Sequence, residues 1–306
     1  MMKKILMKYP YPISGLILGL AVLGNLIRTY GEIYRTVFGM IAMVLMVILI
    51  IKMLSDIEGF KTFMQNPVAA AAFATAPMSV TILSTYFPPT IGKIIWIIGI
   101  IINALTILWF TLKFALRFKM TELFTTWSIL YVGIVTASVT APAYKMLPLG
   151  QSIFWFGFVC YFIVQSIICY RVFFLMKEIP EPMQPMLIVF SAPISLLLAG
   201  YMSSFPEKNM FIVYLLAGIS SVFYIYSMFK FPKLLKLKFY PTISAFTFPM
   251  VISAIAMKLL TGFIGKSGGD VKILSMVVKF QEFVAVAIVV YVLVKYLQFI
   301  FKSEQS

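Results

Sequence analysis

Runs of about 20 predominantly apolar residues recur along the whole chain, each long enough as a helix to cross the roughly 30 Å hydrocarbon core of a bilayer. They fall at roughly 11 to 29, 33 to 54, 68 to 86, 91 to 113, 122 to 142, 149 to 173, 184 to 203, 209 to 230, 240 to 260 and 273 to 300. Ten crossings take roughly 200 of the 306 residues and leave about ten for each loop and tail. No soluble domain fits in that remainder, which excludes an attached nucleotide-binding motor, a receptor ectodomain or a cytosolic enzyme. With 62% hydrophobic and 11% charged residues, the chain reads as one all-α polytopic membrane domain over 1–306. In hydrocarbon, each helix satisfies its own backbone groups.

The formal charge of +15 describes topology. Lys and Arg sit between the apolar runs, with no interleaved aromatic stripe of the kind that binds single-stranded nucleic acid. Sixteen of the 25, among them Lys3, Lys4, Lys8 and Lys302, fall on the side of the two chain ends, and nine on the other. That bias places both termini in the cytoplasm and the protein in the cytoplasmic membrane. The clusters Lys113, Arg117, Lys119 and Lys230, Lys233, Lys236, Lys238 set topology or meet anionic lipid, or alternatively concentrate anions at the inner mouth. The basic start, residues 1–8, followed by an apolar run, resembles a signal peptide. It reads instead as a first transmembrane helix, because it matches later spans.

Proline sorts the spans into two kinds. The even-numbered runs are bulky and free of proline, as suits a lipid-facing wrapper. The odd-numbered ones begin or break at proline, are rich in Ala, Gly, Ser and Thr, and recur about every 55 to 60 residues, as a helical hairpin used five times. Aligned on an internal proline, four odd spans share the order hydroxyl, small, proline: Thr75, Ala76, Pro77; Thr140, Ala141, Pro142; Ser191, Ala192, Pro193; and Thr247, Phe248, Pro249. Proline kinks a helix and frees a carbonyl. It is tolerated in a membrane where hydroxyls, water or neighbouring protein satisfy the backbone. The expected architecture is therefore an inner ring of odd helices around a central pore, wrapped by an outer ring of even ones. Close backbone packing, as at the Gly15 and Gly19 pair, is the competing use of such small residues.

The chemistry of the odd spans is defined by what they lack. Apart from Glu122 at the first position of the fifth run they carry no Asp, Glu or His, and their Lys and Arg stand at the ends. An intramembrane acid or histidine is the usual proton relay, so proton coupling loses support. The whole chain has no histidine, which also removes the commonest metal ligand and general base. Cys160 and Cys169 fall on opposite faces of one helix and share no metal. The chain thus lacks the parts of an enzyme and calls for no metal or cofactor. A path lined by hydroxyls (Thr75, Thr140, Ser191, Ser195 and Thr247 with Ala76, Ala141 and Ala192) and by proline-freed dipoles suits a weakly selective anion pore. Phe248 stands where the other aligned repeats have alanine, so one phenyl group enters the middle of a small-residue ring and obstructs it. Phe246 is the alternative if the helix is rotated.

The ten-span plan, with the segment Ala245-Phe246-Thr247-Phe248-Pro249-Met250 and weaker echoes at Asn66-Pro67 and Ser191-Ala192-Pro193, resembles the tellurite-resistance/dicarboxylate transporter family. That family includes bacterial TehA-type proteins and the slow-type anion channels of plant guard cells. The resemblance implies a homotrimer in which each protomer holds its own pore, with a phenylalanine plug carried here by Phe248. The family also contains carriers of malate and other dicarboxylates, so an ion-coupled C4-dicarboxylate or tellurite-related transporter is the alternative function. No arginine pair stands within the spans to clamp two carboxylates. That favours small anions such as chloride and nitrate, with membrane lipid as the other partner.

Overall fold

The computed structural model describes residues 6–301, so Lys3, Lys4 and Lys302 of the charge count lie outside the described residues. Among the described residues, ten helices have the length and apolarity of membrane spans: α1 (Ile13–Tyr30), α2 (Glu32–Ser55), α3 (Pro67–Tyr86), α4 (Pro89–Ala115), α5 (Thr125–Tyr144), α6 (Leu147–Leu175), α7 (Glu181–Ser204), α8 (Met210–Leu234), α9 (Pro241–Lys266) and α10 (Lys272–Phe301). The described residues include no strand, and the protein is an all-α polytopic membrane protein. The even helices extend further than their apolar runs. Pro89 and Pro148 lie in the first turns of α4 and α6, where a missing N–H costs no hydrogen bond. Pro232 lies inside α8, near its end.

The two kinds of span occupy different surroundings. Of an 18-residue apolar stretch in each span, 28 to 33% is buried in the even helices and 67 to 94% in the odd ones. The outward faces of the even helices carry large apolar side chains, such as Ile101, Leu105 and Leu108 on α4. A helix that is apolar all round and enclosed by protein belongs to the core, and one that shows such a face belongs against lipid. Each odd helix packs on the next odd helix, α1 on α3, α3 on α5, α5 on α7 and α7 on α9, and α9 returns to α1. Small residues permit the close approach. A Cβ on Gly19 would meet the Thr247 side chain at 2.5 Å, so α1 and α9 touch through the glycine.

Four of the odd helices are interrupted and restart. In α3 the helix stops at Ala72 and resumes at Thr75; in α5 a tight turn at Gly133–Val135 precedes Thr136. In α7 and α9, 3-10 segments Glu181–Phe190 and Pro241–Phe246 precede Ser191 and Thr247. Each restart is marked by the same bond. The hydroxyls of Thr75, Thr136, Ser191 and Thr247 donate to the carbonyl three residues back, at 2.9, 2.9, 3.0 and 2.8 Å. Pro77, Pro193 and Pro249 then fall third in the new helix, among the N–H positions that have no acceptor within a helix.

This bond corrects the alignment for α5. Thr136, four residues before Thr140, is the equivalent of the other three hydroxyls, and Pro142 lies in the last turn of α5, near its exit from the membrane. Gly133 stands at the interruption in α5, where a Cβ would meet Met78 Sδ of α3 at 2.5 Å. Proline alone therefore misplaces the register of α5 by about one helical turn.

Candidate functional site: a cavity bordered by Phe248

The first turns of all five odd spans surround one cavity of about 380 Å³. Pro12 and Gly15 come from the start of α1; Val68, Ala69, Ala72 and Thr75 from α3; Thr126 and Ile129 from α5; Met183, Met186 and Val189 from α7; and Thr242, Ser244, Ala245, Phe248 and Pro249 from α9. Phe63 and Asn66 from the α2–α3 connection complete the wall. Its lining runs from the starts of the odd helices to the level of the restarts at Thr75, Phe248 and Pro249. No Lys, Arg, Asp or Glu is among the lining residues.

Phe248 is 2% exposed and its side chain belongs to this wall. Phe246 points the other way: it is fully buried against Phe231 of α8, ring centroids 5.1 Å apart. The rotation of α9 that brings Phe248 to the cavity is held by Thr247, whose one hydroxyl proton is shared between the Gly15 carbonyl of α1 at 2.9 Å and its own Ser244 carbonyl at 2.8 Å.

That bond is one of a closed set. The Thr75 hydroxyl, its proton on the Ala72 carbonyl, accepts from the Ser14 hydroxyl at 2.8 Å and joins α3 to α1. Thr126 donates to the Val68 carbonyl, joining α5 to α3 at 3.0 Å, and Thr125 to the Met186 carbonyl, joining α5 to α7 at 2.8 Å. Thr242 donates to the Pro182 carbonyl, joining α9 to α7 at 2.6 Å. Every neighbouring pair of odd helices is therefore tied by one hydroxyl near the cavity. The Thr125 and Thr247 bonds are buried, where water competes little and the bond holds its pair at fixed separation, whereas the Thr242 bond is exposed.

The residues singled out from sequence separate accordingly. Thr75, Phe248 and Pro249 line the cavity, while Ala76, Pro77, Ala192 and Pro193 are buried away from its lining. The Thr247 hydroxyl serves α1, and that of Ser191 its own Ile188 carbonyl. Ser195 bonds Ser220 of α8 and Ser253 of α9 at 2.8 and 2.9 Å. Thr140 accepts from Trp96 Nε1 of α4 at 2.8 Å, and a Cβ on Gly150 of α6 would meet Ala141 at 2.7 Å, so both face even helices. Most hydroxyls of the odd spans thus hold helices together, and the cavity wall is mainly apolar side chains and backbone. Met183, Met186, Ile129 and Thr126 were not singled out, because nothing in a run of apolar residues marks which one faces a lumen. The Thr125-Thr126 pair at a helix start was the available signal.

The rim of the cavity is organised by a charge pair. Asp56 caps the short helix Ile57–Phe63 by accepting from the Gly59 N–H at 3.1 Å, and it pairs with the buried Lys52 at 2.7 Å. The Lys52 bond holds the Asp56 carboxyl below its usual range. Tyr11 donates to Asp56 at 3.2 Å, and burial together with this bond pushes its phenol up to about 12. The Tyr11 ring lies 5.0 Å from Phe63, and Phe63 packs edge-on against Phe73 of α3. The rim carboxylate thereby sets the position of a wall residue.

A comparison with known protein families matches residues 9–297 to SLAC1, described as voltage-dependent anion channel. No match is found among curated proteins. The matched region runs from just before α1 into α10 and so includes the whole cavity and Phe248. With ten membrane helices, an uncharged cavity reached by all five odd spans and a match over nearly its full length, the chain belongs to the SLAC1 family of voltage-dependent anion channels.

Proposed function

We propose that this protein passes small anions such as chloride and nitrate passively across the cytoplasmic membrane, along a path enclosed by the odd helices of each protomer. The anion enters the cavity from the cytoplasmic side, and the Phe248 ring closes the path at rest. The observation that carries the reading is the cavity itself, which five converging helix starts surround and Phe248 borders at the level of the restarts. Helix starts carry partial positive charge, which favours an anion without a fixed cation to trap it. Absence of Lys and Arg from the wall gives no bidentate partner for a dicarboxylate. The family resemblance supports assembly as a homotrimer with one path per protomer.

Phe248→Ala tests the plug. In a planar bilayer or oocyte recording, anion current per surface-expressed channel is expected to rise at least tenfold. Unchanged or reduced current from a well-expressed variant would sink the plug assignment.

A further inference from the structure

Three contacts fix the rotation of α9 beyond Phe248. Thr247 is bonded to α1, Ser253 to Ser195 of α7, and Lys258 to Glu282 of α10 at 2.7 Å. At about 100° per residue, and taking Thr247 as zero, Lys258 lies at roughly 20° and Ser253 at roughly 240°. The directions towards α1, α10 and α7 are thus taken. Phe248, Ile252, Ile255 and Leu259 fall at roughly 100°, 140°, 80° and 120°, within one arc that none of those partners occupies. Phe248 identifies this arc, because its side chain lines the cavity. On this arc Phe248 and Ile252 are buried and Ile255 and Leu259 are half-buried; Met257 and Lys258, on other faces near the end of α9, are half-buried too, so it is the direction shared with Phe248 that places Ile255 and Leu259 on the side of the path.

The wall across the bundle gives the same result independently. In α5, Thr140 bonds Trp96 of α4, Ala141 meets Gly150 of α6, and the Ser138 hydroxyl donates to the Gly150 carbonyl at 2.7 Å. Val139, between them, is half-buried and points away from all three contacts.

We infer that the outer half of the path is an apolar sleeve, formed by Ile252, Ile255 and Leu259 of α9 with Val139 of α5 on the far wall, which acts as a second barrier in series with Phe248. The inference rests on the conduction reading above. A narrow stretch walled by branched aliphatic side chains offers water no hydrogen-bond partners and resists wetting, so an ion must shed hydration there even when the plug is displaced. The sleeve gives Ile255 a role in conduction that its composition as an ordinary membrane residue does not reveal.

The test compares unitary anion conductance in a Phe248→Ala background. Adding Ile255→Ser is expected to raise it severalfold by wetting the sleeve, and Ile255→Trp to lower it. Val139→Ser, on a different helix, is expected to act in the same direction as Ile255→Ser and serves if the α9 variants do not reach the membrane. In parallel, Ile255→Cys, in a chain whose Cys160 and Cys169 are replaced by alanine, should react with a membrane-impermeant anionic thiosulfonate applied from outside. A conductance indifferent to both serine substitutions overturns the sleeve, whatever the labelling. If Phe248→Ala leaves current unchanged while the Ile255→Cys variant is labelled and Ile255→Ser alone raises current, the plug fails and the sleeve stands.

Discussion

Two phenylalanines one residue apart illustrate how much a single side-chain direction decides. Phe246 fills a site against Phe231 and Phe248 bounds the cavity. Truncating the first leaves a void in a packed interior and is expected to cost about 3–5 kcal/mol. Phe246→Ala should therefore lower the melting temperature in detergent without opening the channel. Phe248→Ala should raise current with a smaller loss of stability, since its side chain borders space already. Equal melting losses for the two would contradict this division. Thr247 couples them. Thr247→Val removes the bond to the Gly15 carbonyl, worth about 1 kcal/mol, and frees α9 to rotate. Thr247→Ser keeps the hydroxyl and should restore both melting temperature and closure. Sequence showed the hydroxyl beside the phenylalanine but not which group it bonds, because its acceptor is 232 residues away in the chain.

At the scale of elements, interruption of the odd helices is the organising device. Proline announced it in α3, α7 and α9, and in α5 it was mislaid because Pro142 lies in the last turn, away from the interruption at Gly133–Val135. The short helix Ile57–Phe63 shows a second device, an acid that caps the helix and pairs with buried Lys52. Because Lys52 depresses the Asp56 pKa, the pair contributes stability that is complete above the unfolded value of about 3.9 and is lost as pH falls through the lower folded value. The rim is accordingly indifferent to pH between about 5 and 8. Thermal melts of purified protein should show an added loss near pH 3 relative to pH 6 that Asp56→Asn removes; persistence of the full loss in that variant would assign it elsewhere.

For the whole molecule, the uncharged wall sets the expected selectivity. Reversal potentials measured with chloride, nitrate and malate in turn should give higher permeability for the two monovalent anions than for malate. Saturable malate uptake that requires a sodium or proton gradient would instead identify a coupled carrier. The ten spans, their division into buried and lipid-facing sets, and the candidate status of Phe248 were all readable in the chain, since length, apolarity and proline content are local properties. The hydroxyls were readable as residues but not as bonds. Thr140 and Ser195 looked like pore lining and instead join α5 to α4 and α7 to α8 and α9.

The amino-acid order alone thus determined that this chain crosses a membrane ten times, and that small, interrupted helices alternate with bulky continuous ones. The rotation of each helix, and with it which side chains meet the cavity, was decided only by tertiary structure. The physical reason is the solvent: both the lipid and the protein core are apolar, so a buried span carries no polar face to announce its orientation. Rotation is set instead by a few hydroxyl bonds and glycine contacts between helices distant in sequence.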